Sequence, residues 1–259
     1  MVHTQSDKII VSKLLPVGLF GFYSFAYSAV SRTRLLTSAV AQAAFPFFSS
    51  LFGTNQRDSM MAQYRKLQDL LCVGTVPLFA VIPFAVLPVF GFVFSPDVAR
   101  MLLLPISFLA LGFYMHGTLN IPYVFSLAVG KPEISVRSNF YALFVILPIM
   151  AGLIYYFGLP GAGFSWVCYN LFTYVYAVPR ICSECLEIPV WEWFSHVFRI
   201  FFLICLTYGV AWFIIGLIGA HSIPSLTVAY VVASIAFLTA SYFIIGIELK
   251  EALIDRFQR

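Results

Sequence analysis

An all-α, polytopic membrane bundle of about seven transmembrane helices is the fold class that three observations predict. Apolar residues make up 61% of the chain and charged residues only 10%, against about 25% charged in a soluble domain, whose water-facing surface needs them. Mean hydropathy is +0.93. The apolar residues fall into stretches of the length needed to cross hydrocarbon, about 20 residues each, and these consume nearly all of the 259 residues.

The elements follow in order. Ile9 to Leu15 is too short to span and ends at Pro16-Val-Gly18, a local break. The first full span runs from Leu19 to Phe52, interrupted by Arg32 and Arg34, and a polar loop from Gly53 to Lys66 follows. Later spans cover Leu67–Phe94, Val98–Val129, Ile134–Phe157, Gly161–Pro179, Phe194–Gly219 and Leu226–Ile247, before a charged tail, Glu248 to Arg259. Seven prolines (46, 77, 83, 88, 105, 122 and 148) lie inside or at the edges of these spans. In a bilayer neighbouring helices can satisfy the carbonyls that proline frees. A β-barrel is excluded, because it needs alternating segments of about 10 residues.

Lysine and arginine placement predicts orientation. Arg57, Arg65, Lys66, Lys131, Arg137, Arg180, Arg199, Lys250, Arg256 and Arg259 fall on one side of the predicted bundle, and only Arg100 on the other. The positive-inside rule makes the first side cytoplasmic, and with it the C-terminus. The scattered basic residues, net charge +4, are topology signals and do not indicate a nucleic-acid partner. The five cysteines show no disulfide framework, and Cys182-Ser-Glu-Cys185 is a lone CxxC without the second pair that a metal site needs. The start, Met1-Val-His-Thr-Gln-Ser-Asp-Lys, lacks a cleavage site, so no signal peptide is expected.

Ionisable groups within a span are costly and mark function. Arg32 and Arg34 stand in the first span with no acidic residue within a turn, and their spacing turns them to nearly opposite sides of a straight helix. The Arg34 side also carries Tyr23, Tyr27, Ser31, Ser38 and, at its edge, Gln42, a polar stripe suited to water or a polar substrate. His116, Asn120 and Tyr123 share one face of the third span; Trp166, Asn170 and Tyr174 share one face of the fifth, where aromatics with an amide suit a sugar ring. The candidate substrate-pathway residues are therefore Arg34, Arg32, Tyr27, Gln42, His116, Asn120 and Asn170. No Gly-rich phosphate loop, HExxH, GxSxG or paired carboxylates appear, so no catalytic residue, metal or cofactor is expected. Asp69 is the one carboxylate near a span start that could face inward.

Four segments resemble the polysaccharide biosynthesis or O-antigen flippase family. They are Ser6-Asp-Lys-Ile-Ile-Val-Ser-Lys-Leu-Leu15 with Phe20-Gly-Phe-Tyr-Ser-Phe-Ala26; Gln42-Ala-Ala-Phe-Pro-Phe-Phe-Ser49; Asn120-Ile-Pro-Tyr123 with Ala128-Val-Gly130 and Asn139; and Tyr156-Phe-Gly-Leu-Pro-Gly-Ala-Gly163 with Trp166. The resemblance implies a lobe of a two-lobed transporter of the multidrug/oligosaccharidyl-lipid/polysaccharide exporter superfamily, like the C-terminal lobe of a MATE-like protein. It implies a flippase that moves undecaprenyl-pyrophosphate-linked oligosaccharide across the bacterial inner membrane by alternating access. A cationic cavity receives the pyrophosphate, a role that suits Arg34 and Arg32.

The expected layout is residues 1–18 as the tail of a helix and a break, 19–190 as flippase-like helices, and 191–259 as two further helices and a cytoplasmic tail. Only a second lobe is recognisable, so a first lobe or other polysaccharide-assembly proteins are expected partners beside the bilayer and the lipid-linked oligosaccharide. A multidrug-type exporter lobe, a membrane polymerase or ligase, and a non-catalytic membrane subunit are the alternatives. The first would favour carboxylates in the spans, and the second a large extracytoplasmic loop.

Overall fold

The computed structural model describes residues 3–246 and residue 249, with side chains from residue 9 onward; most of the expected charged tail lies outside them. Among the described residues every regular element is helical. A short α1 (His3–Leu14) leads to α2 (Val17–Ser31) and α3 (Arg34–Gly53), then α4 (Arg57–Gly74), α5 (Val76–Val93), α6 (Pro96–Thr118), α7 (Asn120–Ala128), α8 (Glu133–Phe157) and α9 (Leu159–Ile181). After a π-turn at Cys182–Leu186 come α10 (Val190–Ile204), a second π-turn at Cys205–Gly209, α11 (Val210–Ile218) and α12 (Ile223–Ser241).

Six segments are long and apolar enough to cross a membrane: Val17–Gly53, Arg57–Val93, Pro96–Ala128, Glu133–Phe157, Val190–Ile218 and Ile223–Ser241. The seventh expected span, α9, has 23 residues and is not among them. It lies between α6 and α8. Its Gly, Ser, Asn and Tyr residues therefore meet protein rather than lipid, which is how a less apolar helix is tolerated at membrane depth.

The first three spans are too long for one straight crossing. Val17–Gly53 has 37 residues, about 55 Å of helix against roughly 30 Å of hydrocarbon. Each of the three has a joint. Between α2 and α3, Thr33 N–H bonds Val30 O and Leu35 N–H bonds Arg32 O, a 3₁₀ tightening. Between α4 and α5, Thr75 Oγ donates to Leu71 O at 2.6 Å just ahead of Pro77. Between α6 and α7, Pro122 brings no N–H to Thr118 O, and Gln68 Nε2 from α4 donates to it instead at 3.1 Å. The expectation that neighbouring helices answer carbonyls freed by proline is met here by a named side chain.

Close packing of α6 against α9 forms the centre. Gly112 lies under Trp166, and a Cβ on Gly163 would collide with Pro105 O. The α8–α9 hairpin turns at Gly158, whose φ of +63° is a conformation that favours glycine. At the end of the bundle where the basic loops gather, the 182–192 segment is tied down. Arg57 Nη2 donates to Cys185 O at 2.8 Å and lies 3.3 Å from Glu187. Lys131 Nζ donates to Glu184 O at 2.8 Å, and Arg65 stands 3.6 Å from Glu192. The CxxC therefore builds a turn: Cys182 O accepts from Ile188 N–H, and both cysteines are buried. Burial pushes the Cys182 thiol up to about 12, with Glu192 and Cys185 adding to the shift. Burial raises the Cys185 thiol to about 11 against the opposing pull of Lys131. Thiols held protonated at neutral pH are poor metal ligands and poor nucleophiles.

Candidate substrate site at the α2–α3 joint

Arg34 opens α3 at the 3₁₀ joint, so the two arginines do not lie in mid-helix as the sequence suggested. The joint separates them: Arg32 is exposed, while Arg34 is half-buried and turned to the bundle. The Arg34 guanidinium carbon lies 5.7 Å from the centroid of the Phe113 ring on α6. That ring is fully buried and packs 4.6 Å from Trp166 of α9. Tyr27 of α2 closes the cluster, 5.5 Å from Phe113 and 5.6 Å from Trp166. Below Arg34, Thr37 of α3 rests on Gly117, where a Cβ would stand 3.2 Å from the Thr37 methyl. The small residue at 117 thus sets how near α3, and with it Arg34, approaches α6.

His116 follows Phe113 by one turn, and Asn170 follows Trp166 by one turn. Asn170 is fully buried; its Nδ2 donates to Gly112 O at 3.0 Å and Trp166 O at 2.7 Å, tying α9 to α6. Its Oδ1 is buried and faces His116, whose imidazole is the polar group within its reach. The Arg34 charge acts on both His116 and Tyr169. Tyr169 in turn donates from Oη to Asn139 Oδ1 on α8 at 3.0 Å. Among the described residues no carboxylate forms an ion pair with Arg34. A guanidinium is charged at any physiological pH and in a medium of low dielectric it attracts an anion strongly. The arrangement is one fixed cation on an aromatic platform, with the buried His116 and Asn170 side chains facing each other beside it.

The structure therefore groups four of the seven predicted residues: Arg34, Tyr27, His116 and Asn170. Three lie apart. Arg32 and Gln42 are exposed on other faces of α2–α3, and Asn120 is half-buried at the start of α7. The Trp166, Asn170 and Tyr174 face is core, at most 5% exposed, so it offers no open ring for a sugar; Tyr174 instead bonds Thr118 at 2.6 Å. Phe113, Tyr169 and the Asp69–His196 pair were missed. Phe113 and Tyr169 could have been found as the residues one turn before His116 and one turn after Trp166. Asp69 does face inward, as its position suggested: it is 5% exposed, with Oδ1 3.1 Å from His196 Nε2 of α10, and Oδ2 accepts from Gly246 N–H at 2.6 Å.

Fold and site together define a polytopic, all-α membrane protein with an unneutralised cation held between its first long span and its central helices. Residues 1–122, which include Tyr27, both arginines, Gln42, His116 and Asn120, match the family described as "Polysaccharide biosynthesis protein". The chain is also similar to a Shigella flexneri protein named "Putative O-antigen transporter", 23% identical over 186 residues, which cover 70% of this chain and 44% of that protein. Both findings are similarities, one over the first 122 residues and one to a single relative, and both point in the direction of the family that the motifs resemble. The match spans less than half the length of that relative. No solved structure matches the chain.

Proposed function

We propose that this chain forms one lobe of a flippase for undecaprenyl-pyrophosphate-linked oligosaccharide, an O-antigen or exopolysaccharide repeat unit, in the bacterial inner membrane with its C-terminus in the cytoplasm. The observation that carries the reading is Arg34: a half-buried guanidinium at an intramembrane joint, over Phe113, with no carboxylate paired to it among the described residues. A phosphate bound there would gain charge-assisted hydrogen bonds from a donor already desolvated and oriented. His116 and Asn170 supply a nitrogen and a carbonyl oxygen for the polar groups that follow the phosphate, with Tyr27 bracing the platform. Arg32, Gln42 and Asn120 belong to the pathway where a facing lobe closes over α2–α3.

In this reading residues 19–190 are the flippase-like helices and 191–259 an added pair of helices with a cytoplasmic tail. The chain acts by binding and conformational change rather than by bond chemistry. A facing first lobe completes the cavity. The family match and the relative's name support transport of a polysaccharide precursor over the multidrug-type alternative.

The test is complementation of an O-antigen flippase deletion by this chain alone and together with a separate first lobe. Surface O-antigen should be restored by the pair, and Arg34→Ala should abolish it at an unchanged level of inserted protein. Arg34→Lys should restore it in part, because an ammonium keeps the charge but loses the planar fork. Full rescue by Arg34→Ala, or no rescue by the wild-type pair, would overturn the proposal.

A further inference from the structure

Arg100 is exposed in the second turn of α6, at the end of the bundle away from the Arg57, Arg65 and Lys131 loops, and the structure shows what lies beneath it. On α6, Arg100 begins a stripe that continues through Leu103, Leu104, Ser107, Leu111 and Tyr114. That stripe floors a cavity of about 450 Å³, walled by α5 through Phe79 and Phe84 and by the second π-turn and α11 through Tyr208 and Trp212. A second cavity of about 400 Å³ shares Arg100, Leu103 and Trp212 and reaches His221 in the α11–α12 turn. Fourteen residues of α6 separate Arg100 from Tyr114, about 21 Å of helix. That length exceeds the roughly 15 Å depth of one leaflet, half of the hydrocarbon core, so an acyl chain of that leaflet can lie along the stripe.

Polar groups along the body of the cavity are already bonded within the protein. Ser107 Oγ donates to Leu103 O at 2.7 Å, Tyr114 Oη to Cys72 O at 2.7 Å, and Tyr208 Oη to Ser234 Oγ at 3.0 Å. Only the mouth is different. Arg100 and His221 are exposed there, and neither side chain has a hydrogen bond or ion pair among the described residues. Asp97, one turn before Arg100, lies in the first turn of α6, where a carboxylate complements the helix N-terminus. An apolar slot with two unengaged donors at its open end matches a molecule with a long tail and an anionic head. Basic pockets between membrane helices bind lipid headgroups in this way.

We propose that this groove between α5, α6 and α11 is a binding site for an anionic phospholipid of the bilayer, with an acyl chain along α6 and the headgroup phosphate on Arg100 and His221. The site gives a role to a basic residue exposed at the mouth of an apolar cavity. It is separate from the Arg34 cluster, so its failure would leave the transport reading untouched.

The experiment uses the full chain in vesicles of phosphatidylcholine with a minor fraction of brominated lipid. Quenching by bromine is read as the part of the tryptophan emission lost on Trp212→Phe. Brominated phosphatidylglycerol should quench Trp212 with about fivefold preference over brominated phosphatidylcholine at equal bulk concentration. Arg100→Gln with His221→Gln should remove that preference, while Ala80→Leu, which fills the slot without touching charge, should lower quenching by both lipids. Unlabelled phosphatidylglycerol should compete, and inorganic phosphate should not. Equal quenching by both headgroups, a preference that survives the double substitution, displacement by free phosphate, or selective displacement by a polyprenyl phosphate would each overturn the assignment.

Discussion

At the scale of single residues, two charges in this bundle have opposite surroundings, and the difference separates function from structure. Asp69 has a neighbour at each oxygen: His196 Nε2 stands 3.1 Å from Oδ1, and the Gly246 amide donates to Oδ2, which brings α4, α10 and the chain after α12 together at one carboxylate. Removing the acceptor of a buried hydrogen bond leaves its donor unsatisfied, at a cost of about 1–3 kcal/mol. Asp69→Ala should therefore lower the thermal unfolding midpoint in detergent markedly and loosen the C-terminal helices to proteolysis. A midpoint within a degree of wild type would show that the pair carries no stability. Arg34 has no such partner among the described residues, so Arg34→Ala should leave the midpoint near wild type while abolishing function.

The buried thiols provide a residue-scale prediction with a pH axis. Groups whose ordinary value is raised stay protonated until the pH approaches the raised value, so Cys182 and Cys185 should react negligibly with maleimide at pH 8 and increasingly only above about pH 10. Denaturation should make both react at pH 8. Rapid labelling of the folded protein at pH 8 would contradict the buried turn.

At the scale of elements, close helix approach depends on small residues, which are the means by which membrane helices pack without a hydrophobic driving force between them. Gly112 and Gly163 let α6 and α9 come together at two levels. Gly163→Ala would drive a methyl into the Pro105 carbonyl, which is backbone and cannot rotate away. Overpacking of this kind costs about 1–3 kcal/mol. Because Asn170 and Gly112 O share that interface, the variant should also displace the Arg34 platform. The expected outcome is lower thermal stability together with weaker complementation, whereas Gly152→Ala, on the open side of α8 where a Cβ meets nothing, should change neither. The joints were harder to read. Pro77 and Pro122 are visible in the sequence, but a 3₁₀ turn at Arg32–Thr33 has no proline or glycine to announce it, and the span was read as continuous.

At the scale of the whole molecule, exposed Phe144, Phe198, Phe202, Phe213 and Val232 face outward on four different helices, as a lipid-embedded surface requires. Topology reporters test the arrangement as a unit. Fusions in the 54–56 turn and after residue 259 should report cytoplasm, and a fusion in the 219–222 turn should report the opposite side. The reverse pattern would invert the positive-inside reading and, with it, the leaflet assigned to Arg100.

By itself the sequence determined that the chain spans a membrane with helices in number and order close to those found, and that Arg34 stands at membrane depth, because hydropathy and charge are summed along the chain and need no partner. It also carried the resemblance to a family, through motifs short enough to survive as local strings. Only the tertiary structure decided which polar residues meet. Phe113 with Arg34, Asn170 with Gly112 and Asp69 with His196 are pairs between different helices, and the rotation of each helix is set by packing against its neighbours. A periodic face such as Trp166, Asn170 and Tyr174 looks the same in sequence whether it turns to a cavity or to the core, and close packing against α6 turned this one inward.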